Sequence, residues 1–259
     1  MHREFSQIIT NENLDEEHYL MRVHAPRIAP SWIPGQFVNV LPPVEPGKPP
    51  ILRRPISILG NEGEYIEFAY KVIGSGTKIL SKLKSGQILD LIGPLGNGFM
   101  IPAEKSGNHI LVCGGVGAPP IIALARLMAS QRFNVTLYHG AKKRDELIFH
   151  ETLKRENYKY VFATEDGSLG YEGLISGFLP TEMDGIAGIY ACGPVGMLKS
   201  ILKWRNESGI KYYVSVENKM GCGVGVCLGC SIPTIDGNYA LTCKYGPVFD
   251  ADIVDWSRF

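Results

Sequence analysis

The stretch HILVCGGVGAPPIIALARLM, residues 109–128, decides the fold of the second half of the chain. It begins with an apolar run of strand length, continues through the glycine-rich turn at 114–117, and then repeats apolar residues at helical spacing as far as Met128. Further short apolar runs alternate with helical segments downstream. Strands that alternate with helices form parallel sheets through crossover connections. We therefore predict an α/β domain with a doubly wound parallel sheet.

The first hundred residues have a different rhythm, which favours β-structure. Ile66, Phe68 and Tyr70 alternate with more polar neighbours, as in a strand buried on one face. Similar runs at 19–23, 36–41, 55–59 and 87–92 are separated by segments rich in proline and glycine. This pattern is typical of a small antiparallel β-barrel.

Four of the six cysteines lie close together near the C-terminus, in the order Cys222-x4-Cys227-x2-Cys230, followed by Cys243. This is the ligand order of plant-type [2Fe–2S] sites. Glycines between the cysteines allow backbone amides to turn towards inorganic sulfides. Structural zinc also accepts four cysteines, but it usually takes them from two short knuckles, and the second knuckle is missing here. We predict a [2Fe–2S] cluster, with structural zinc as the alternative.

These patterns divide the chain into three units. We expect a β-barrel over residues 1–100, an α/β domain over 101–211 and a small cysteine-rich domain over 212–259. Lys and Arg total 26, as do Asp and Glu, and this neutral balance argues against nucleic acid as a partner. The polar N-terminus has no signal pattern, and no apolar run reaches the roughly 20 residues that span a bilayer. We expect a cytoplasmic protein without membrane contact.

Two turns of the α/β domain are candidates for binding a nucleotide. Small residues at Gly115 and Gly117 would let backbone amides approach a pyrophosphate at a helix N-terminus, although the pattern departs from G-x-G-x-x-G. Cys192, Gly193 and Pro194 follow another predicted strand, at the sheet edge where α/β folds bind ligands. Cys192 could equally be a small core residue.

The barrel carries two further candidates. Arg54 and Ser57 lie beside a predicted strand, where a guanidinium and a hydroxyl can hold a phosphate. Gly76 and Thr77 open a short predicted helix over 78–83, which is another possible anion site. The alternative for Arg53 and Arg54 is a solvated pair at a strand end.

Taken in order, the motifs resemble those of the ferredoxin–NADP reductase superfamily over residues 1–205. They are Arg-Pro-Ile-Ser at 54–57, Gly-Ser-Gly-Thr at 74–77, Gly-Pro-Leu-Gly-Asn-Gly-Phe at 93–99, the glycine turn and Cys-Gly-Pro at 192–194. With the C-terminal cysteines, nearly the whole chain resembles the electron-transfer subunits of class 1B dihydroorotate dehydrogenases. The segments 165–170 and 220–227 are close to that family's patterns.

The resemblance implies three cofactors, FAD, NAD(H) and a [2Fe–2S] cluster, and a site for each. For FAD it implies contacts with flavin and phosphate at Arg54, Pro55, Ile56 and Ser57, an isoalloxazine wall at Tyr70, Lys71 and Val72, and pyrophosphate contacts at Gly76 and Thr77. For NAD(H) it implies Gly115, Val116, Gly117, Cys192, Gly193 and Pro194. For the cluster it implies Cys222, Cys227, Cys230 and Cys243.

The resemblance also implies a partner, the FMN-containing catalytic subunit of dihydroorotate dehydrogenase, in a heterotetramer with two copies of each subunit. Electrons would pass between that partner and NAD⁺ in pyrimidine biosynthesis. Because the chemistry belongs to the cofactors, we expect no acid, base or nucleophile among the side chains.

Three alternatives stay open. The same architecture serves other complexes, such as a sulfide dehydrogenase, a hydrogenase or an NADH-dependent ferredoxin:NADP oxidoreductase, because the docked subunit decides the function. A redox-sensing protein would bind a cluster without turnover. Lys142, Lys143 and Arg144 could accept the 2′-phosphate of NADP(H), or they could form a solvated loop.

Overall fold

Six antiparallel strands close into a barrel in the N-terminal part of the computed structural model, which describes residues 1–44, 47–206 and 208–259. The strands follow one another around the barrel in the order β1-β2-β5-β4-β3-β6, and β6 pairs with β1 to close it. They are β1 His2–Asn13, β2 His18–His24, β3 Phe37–Leu41, β4 Arg54–Glu62, β5 Tyr65–Lys71 and β6 Ile88–Leu95. The predicted barrel is confirmed.

The sequence gives no signal for β1, and the structure explains why. Its inward positions include the buried Glu4 and Ser6, whereas the apolar Phe5 faces outward and is 65% exposed. The usual alternation of apolar inward and polar outward residues is therefore inverted here. Ile8 is the residue of this strand that joins the barrel core.

A seven-stranded sheet forms the α/β part, in the order β10-β9-β8-β7-β11-β12-β15, parallel except for β15. Strands β7 and β11 are neighbours, so the sheet winds in two directions from this point. The strands of this sheet are β7 Asn108–Gly114, β8 Asn134–Ala141, β9 Lys159–Thr164, β10 Tyr171–Glu172, β11 Ile186–Cys192, β12 Tyr212–Ser215 and β15 Val248–Asp250. A separate hairpin consists of β13 Ser231–Pro233 and β14 Tyr239–Leu241. The predicted doubly wound sheet is confirmed.

In the part of the chain that the structure describes, four α-helices accompany the strands. They are α1 Ser75–Leu80, α2 Ala118–Ser130, α3 His150–Leu153 and α4 Val195–Arg205. Single 3-10 turns occupy Ala29–Ser31, Gly115–Gly117, Arg144–Glu146, Ile175–Phe178 and Ala251–Ile253. Within residues 146–156, where the sequence favours a helix, the structure has the short helix α3, which the 3-10 turn Arg144–Glu146 precedes. Among the described residues we find no helix whose length and apolar content would suffice to cross a membrane.

The cysteine-rich segment is built into the sheet at both ends. Strand β12 precedes it and β15 follows it, and the two pair antiparallel at the sheet edge. The boundary expected after residue 211 therefore falls just ahead of the last parallel strand, and the third unit supplies two strands of the second unit's sheet. Between them lie the cysteines and the two-stranded sheet of β13 and β14.

One apolar core joins the barrel to the α/β part. Leu59 and Ala69 of the barrel belong to the same buried cluster as Ile121 and Leu124 of α2. Burying these side chains together fixes the barrel against the carboxyl ends of the parallel strands. This packing forms the cleft described next.

Candidate functional site

A cleft of about 330 Å³ lies between the barrel and the α/β part. The structure brings together residues from five separate predicted segments along its wall. From the predicted set, the cleft is lined by Arg54, Pro55, Ile56, Ser57, Tyr70, Lys71, Thr77, Val116 and Cys192. Val72 lies elsewhere, because its side chain packs against the barrel core.

Arg54 and Gly76 make a suitable end of this cleft for a phosphate. A Cβ on Gly76 would overlap Nε of Arg54, so only glycine lets the guanidinium lie here. One guanidinium nitrogen donates to the Leu52 carbonyl over 2.7 Å, and within the described residues no carboxylate pairs with Arg54. Its remaining N–H groups can therefore meet a phosphate of FAD.

The opposite wall is aromatic and held in place. Tyr70 stacks on Tyr19 with ring centroids 5.6 Å apart, and its hydroxyl donates to Asn11 Oδ1 over 2.9 Å. Burial raises the pKa of Tyr70, so the phenol stays neutral. A fixed planar wall suits a planar ring such as isoalloxazine.

Sequence reasoning missed the third wall, which the chain forms immediately after β12. Ser215, Val216, Glu217 and Asn218 line the cleft. The available signal was their position, since ligands bind at the carboxyl ends of parallel strands. The recessed position of Glu217 in the cleft raises the pKa of its carboxyl group, although the side chain opens to solvent through the cleft mouth. Burial, with the charge of Glu217, raises the pKa of Cys192, so this thiol stays protonated.

A second cleft, of about 460 Å³, lies on the other side of the two predicted turns. Gly115 and Pro194 line it. Gly117 and Gly193 lie behind them and allow close packing: a Cβ on Gly117 would overlap the Cys192 carbonyl, and one on Gly193 would come within 3.0 Å of Gly114 N. Glycines that expose backbone at the start of α2 suit the pyrophosphate of a dinucleotide.

The two clefts meet at these turns. Val116 and Cys192 face the first cleft, whereas their sequence neighbours Gly115 and Pro194 face the second. Cys192, the last residue of β11, is the register partner of Cys113, the last residue but one of β7, which brings the turns side by side. Ligands in the two clefts would thus approach each other across a few residues.

The four C-terminal cysteines form two pairs. Cys230 and Cys243 are buried, with their sulfur atoms 3.2 Å apart. Cys222 and Cys227 lie in the loop, where the Cys227 amide donates to the Cys222 sulfur over 3.4 Å. The Gly225 amide donates to the Cys243 sulfur over 3.1 Å. Backbone amides therefore already point at the sulfur atoms, as an iron–sulfur site requires.

This arrangement suits two irons better than one zinc. A [2Fe–2S] cluster takes two thiolates on each iron, which the pair Cys222 and Cys227 and the pair Cys230 and Cys243 can supply. Despite partial burial, the amides of Val224, Cys227 and Val226 lower the pKa of Cys222 to about 6, which favours the thiolate. The four cysteines therefore fit a cluster.

The cysteine loop is anchored on the barrel beside the first cleft. Asn39 on β3 donates to the Cys222 carbonyl over 2.9 Å. Phe37 and Leu95 share a buried apolar cluster with Cys230 and Cys243, and Met220 packs against it. Phe37 and Met220 also line the first cleft. The two sites are therefore neighbours through shared side chains.

Comparison with known proteins agrees with this geometry. Residues 217–255 match the family described as iron–sulfur cluster binding domain of dihydroorotate dehydrogenase B, and residues 111–203 match the oxidoreductase NAD-binding domain. The dihydroorotate dehydrogenase B (NAD(+)) electron transfer subunit of Desulforamulus reducens is 37% identical over 92% of either chain. That of Fusobacterium nucleatum is 33% identical over 95% of either chain. The chain belongs to the family of dihydroorotate dehydrogenase B electron transfer subunits. The subunit of Clostridium acetobutylicum is 40% identical over 77% of this chain and 78% of its own length.

Solved structures extend the comparison of the fold. An NADH-dependent reduced ferredoxin-NADP oxidoreductase chain superposes with a TM-score of 0.84 and 29% identity, over 98% of this chain and 91% of its own. A ferredoxin NADP⁺ reductase from Neisseria gonorrhoeae superposes with a TM-score of 0.67 and 20% identity, over 84% of this chain and 94% of its own. Members of the electron transfer subunit family thus share the barrel and the parallel sheet with these reductases.

Proposed function

We propose that this chain passes electrons between NAD(H) and the catalytic subunit of a dihydroorotate dehydrogenase, by way of FAD and a [2Fe–2S] cluster. The observation that carries the proposal is the continuity of the three candidate sites. Val116 and Cys192 separate the first cleft from the second cleft, which we call the nucleotide cleft because NAD(H) would bind there. Phe37 and Met220 separate the first cleft from the cysteines. Each neighbouring pair of sites is a side chain or two apart.

The residues have distinct roles in this proposal. Arg54 to Ser57, with Gly76 and Thr77, hold the phosphates and one edge of the flavin, and Tyr70 to Val72 form or support the ring wall. Gly115 to Gly117 and Cys192 to Pro194 hold NAD(H). Cys222, Cys227, Cys230 and Cys243 bind the cluster. When bound, FAD links the two-electron hydride chemistry of NAD(H) to the single-electron chemistry of the cluster. No side chain acts as acid, base or nucleophile.

The partner side of the proposal rests on the loop around Cys227. This cysteine is exposed, and Val226 and Leu228 beside it are 77% and 63% exposed. An apolar rim around a redox site suits a protein partner. The partner we propose is the FMN-containing catalytic subunit, two copies with two of this chain. The proposal includes the division at residues 100 and 211. It also includes a cytoplasmic location, which suits cysteines that bind a metal cluster and form no disulfide.

A second candidate function has a specific observation in its favour. The 0.84 TM-score is with a chain of an NADH-dependent reduced ferredoxin-NADP oxidoreductase, which is a different complex of similar architecture. In that case the same chain would serve another partner. The two candidates differ in which subunit docks, and not in the sites of this chain.

The test is an anaerobic titration of the purified holoprotein with NADH, followed by visible absorbance and low-temperature electron paramagnetic resonance. We expect flavin bleaching and the signal of a reduced [2Fe–2S] centre. Cys227→Ser should lose the cluster signal, with iron and sulfide per FAD falling, while NADH still bleaches the flavin, because the first cleft uses other residues. A flavin that NADH does not reduce would refute the electron path.

The partner is tested by coexpression with a dihydroorotate dehydrogenase catalytic subunit. Dihydroorotate should then reduce the flavin of this chain in the complex, and the complex should elute with equal amounts of the two subunits. Reduction by reduced ferredoxin or another donor, with none by dihydroorotate, would favour the second candidate.

A further inference from the structure

The charges that line the nucleotide cleft are not all available to a ligand. Lys142, Glu146 and Glu165 line it. Glu146 is engaged at both oxygens: one lies 3.3 Å from Lys71 Nζ, and the other accepts from the Lys142 amide over 3.4 Å. The side chains of Lys142 and Glu165 make no ion pair with any described residue. One cation and one carboxylate therefore remain for the ligand.

The backbone holds these two residues side by side. Ala141 and Thr164 are register partners at the carboxyl ends of β8 and β9, so Lys142 and Glu165 are the next residues on adjacent strands. The Glu165 amide donates to the Ala141 carbonyl over 3.0 Å, and the Asp166 amide donates to the Lys142 carbonyl over 3.2 Å. Neighbouring strands lie about 4.8 Å apart. Each side chain therefore lies within the field of the other.

The other two basic residues of this loop point to different surroundings. Lys143 Nζ lies 3.7 Å from an Asp145 carboxylate oxygen. The backbone amide of Arg144 donates to Ser168 Oγ, and Arg144 lines a separate groove beside Leu14. Of the three cations that could have accepted a 2′-phosphate, Lys142 is the one on the wall of the nucleotide cleft.

A carboxylate at such a sheet edge discriminates between the two nicotinamide cofactors. It accepts a hydrogen bond from a ribose 2′-hydroxyl, and it repels a 2′-phosphate, which carries nearly two negative charges. A lysine has the opposite preference. We propose that Glu165 selects NAD(H) over NADP(H), and that Lys142 is a latent 2′-phosphate ligand whose charge Glu165 offsets. This inference rests on the proposed function, since it needs the nucleotide in this cleft.

The experiment measures binding alone, with fragments that carry no nicotinamide. Isothermal titration of the holoprotein with 5′-ADP and with 2′,5′-ADP gives two dissociation constants for each variant. For Glu165→Gln we expect 2′,5′-ADP to bind about fivefold more tightly or better, because one repulsive charge at a solvated site is worth about 1 kcal/mol. Binding of 5′-ADP should change less than twofold, since the amide can still hydrogen-bond.

Two further variants make the test specific. Glu172→Gln removes the same charge from an exposed residue of β10 outside the cleft, and it should change neither constant. In the double variant Lys142→Ala/Glu165→Gln, 2′,5′-ADP should bind several-fold more weakly than to Glu165→Gln, because the cation that attracts the 2′-phosphate is gone. Equal binding of 2′,5′-ADP to the single and the double variant would overturn the role of this lysine.

The outcomes separate this inference from the function on which it rests. If both fragments bind and Glu165→Gln behaves as Glu172→Gln does, Glu165 is not the selective residue and the nucleotide site stands. If the wild-type protein already prefers 2′,5′-ADP, the selectivity is the reverse of that proposed. If neither fragment binds any variant, the nucleotide cleft itself is wrongly assigned.

Discussion

Leu228 has a backbone conformation that leucine seldom adopts. Its φ is +59°, between Cys227 and Cys230, and its side chain is 63% exposed. The left-handed region costs a residue with a Cβ about 1–2 kcal/mol relative to its usual conformations. In the isolated chain, exposing an apolar side chain does not compensate for this free-energy cost. A strained residue at a functional loop is best explained by what it contacts in a complex.

We therefore predict opposite effects of Leu228→Gly on stability and on association. Glycine adopts this φ freely, so the melting temperature of the holoprotein should stay the same or rise slightly. Affinity for the catalytic subunit should fall at least tenfold, because an apolar anchor at the redox site is lost. Both are measured on purified protein, by thermal unfolding and by titration with the partner.

Ile235→Gly is the matched control, because Ile235 is 69% exposed but lies in the turn between β13 and β14, at the opposite end of that hairpin from Cys230 and Cys243. It should leave the affinity for the partner unchanged. Undiminished binding by Leu228→Gly would show that the strained leucine is not part of the docking surface.

At the scale of elements, an ion pair joins β5 of the barrel to the turn before α3. Lys71 Nζ lies 3.0 Å from Glu17 and 3.3 Å from Glu146, and Lys71 also lines the first cleft. Hydrogen bonds to Glu17 and Glu146 raise the pKa of Lys71, so it stays charged. Because Glu146 lines the second cleft, the network connects the walls of both clefts.

Glu146→Gln should loosen this connection. A partly buried pair of this kind is worth up to about 1 kcal/mol, which corresponds to a severalfold faster amide exchange where opening is local. We expect faster hydrogen exchange in residues 142–147, with the barrel strands unchanged. Glu151→Gln breaks a pair with Lys154 inside α3 and its C-terminal turn, and it should leave 142–147 as in the wild type. Equal exchange in all three proteins would contradict the connection.

The sequence predicted those elements whose side chains alternate in the usual way. The strands β2 to β6 and the unit of β7, glycine turn and α2 were found because most of their buried positions are apolar. It could not find β1, whose inward positions include Glu4 and Ser6, or the edge strand β15, which is three residues long and pairs with a distant segment.

The candidate sites were likewise predictable only in part from the sequence. Motifs of fixed spacing, such as the four cysteines, were readable because their chemistry requires that spacing. The wall formed by Glu217 and Asn218, and the placement of Glu165 beside Lys142, depend on which strands become neighbours. Spacing along the chain does not encode that, so these two arrangements emerged from the fold, although Lys142 itself was a candidate from the sequence.

For the molecule as a whole, buried histidines make stability depend on pH. Burial lowers the pKa of His109, and burial with the nearby His150 lowers that of His139 to about 3. The unfolded chain takes up these protons near pH 6.5, whereas the folded protein does not. Above about pH 6.5 the two histidines therefore do not lower the free energy of unfolding. Below that pH they lower it, by up to about 1.4 kcal/mol per pH unit for each histidine.

His109→Phe should reduce this decline. His109 is 1% exposed, lies against Phe133 and Tyr190, and neither ring nitrogen has a hydrogen-bond partner in the structure. Phenylalanine would fill the same space without a proton to gain. We expect a higher melting temperature than the wild type at pH 5.5 and a smaller loss between pH 7.5 and 5.5. A decline as steep as that of the wild type, or of a control substitution at the surface residue His24, would contradict this account.

The cysteine segment enters and leaves the fold at one point. Ser215 and Val248 are register partners, and the Val216 amide donates to the Pro247 carbonyl over 2.8 Å. A chain passing directly from β12 to β15 would close with an ordinary short hairpin. During evolution, the segment that binds the cluster could thus be inserted or deleted as one unit, by a single change at one place in the gene. Lineages without it would inherit a two-cofactor reductase in which Phe37 and Leu95 of the barrel need a new apolar cover.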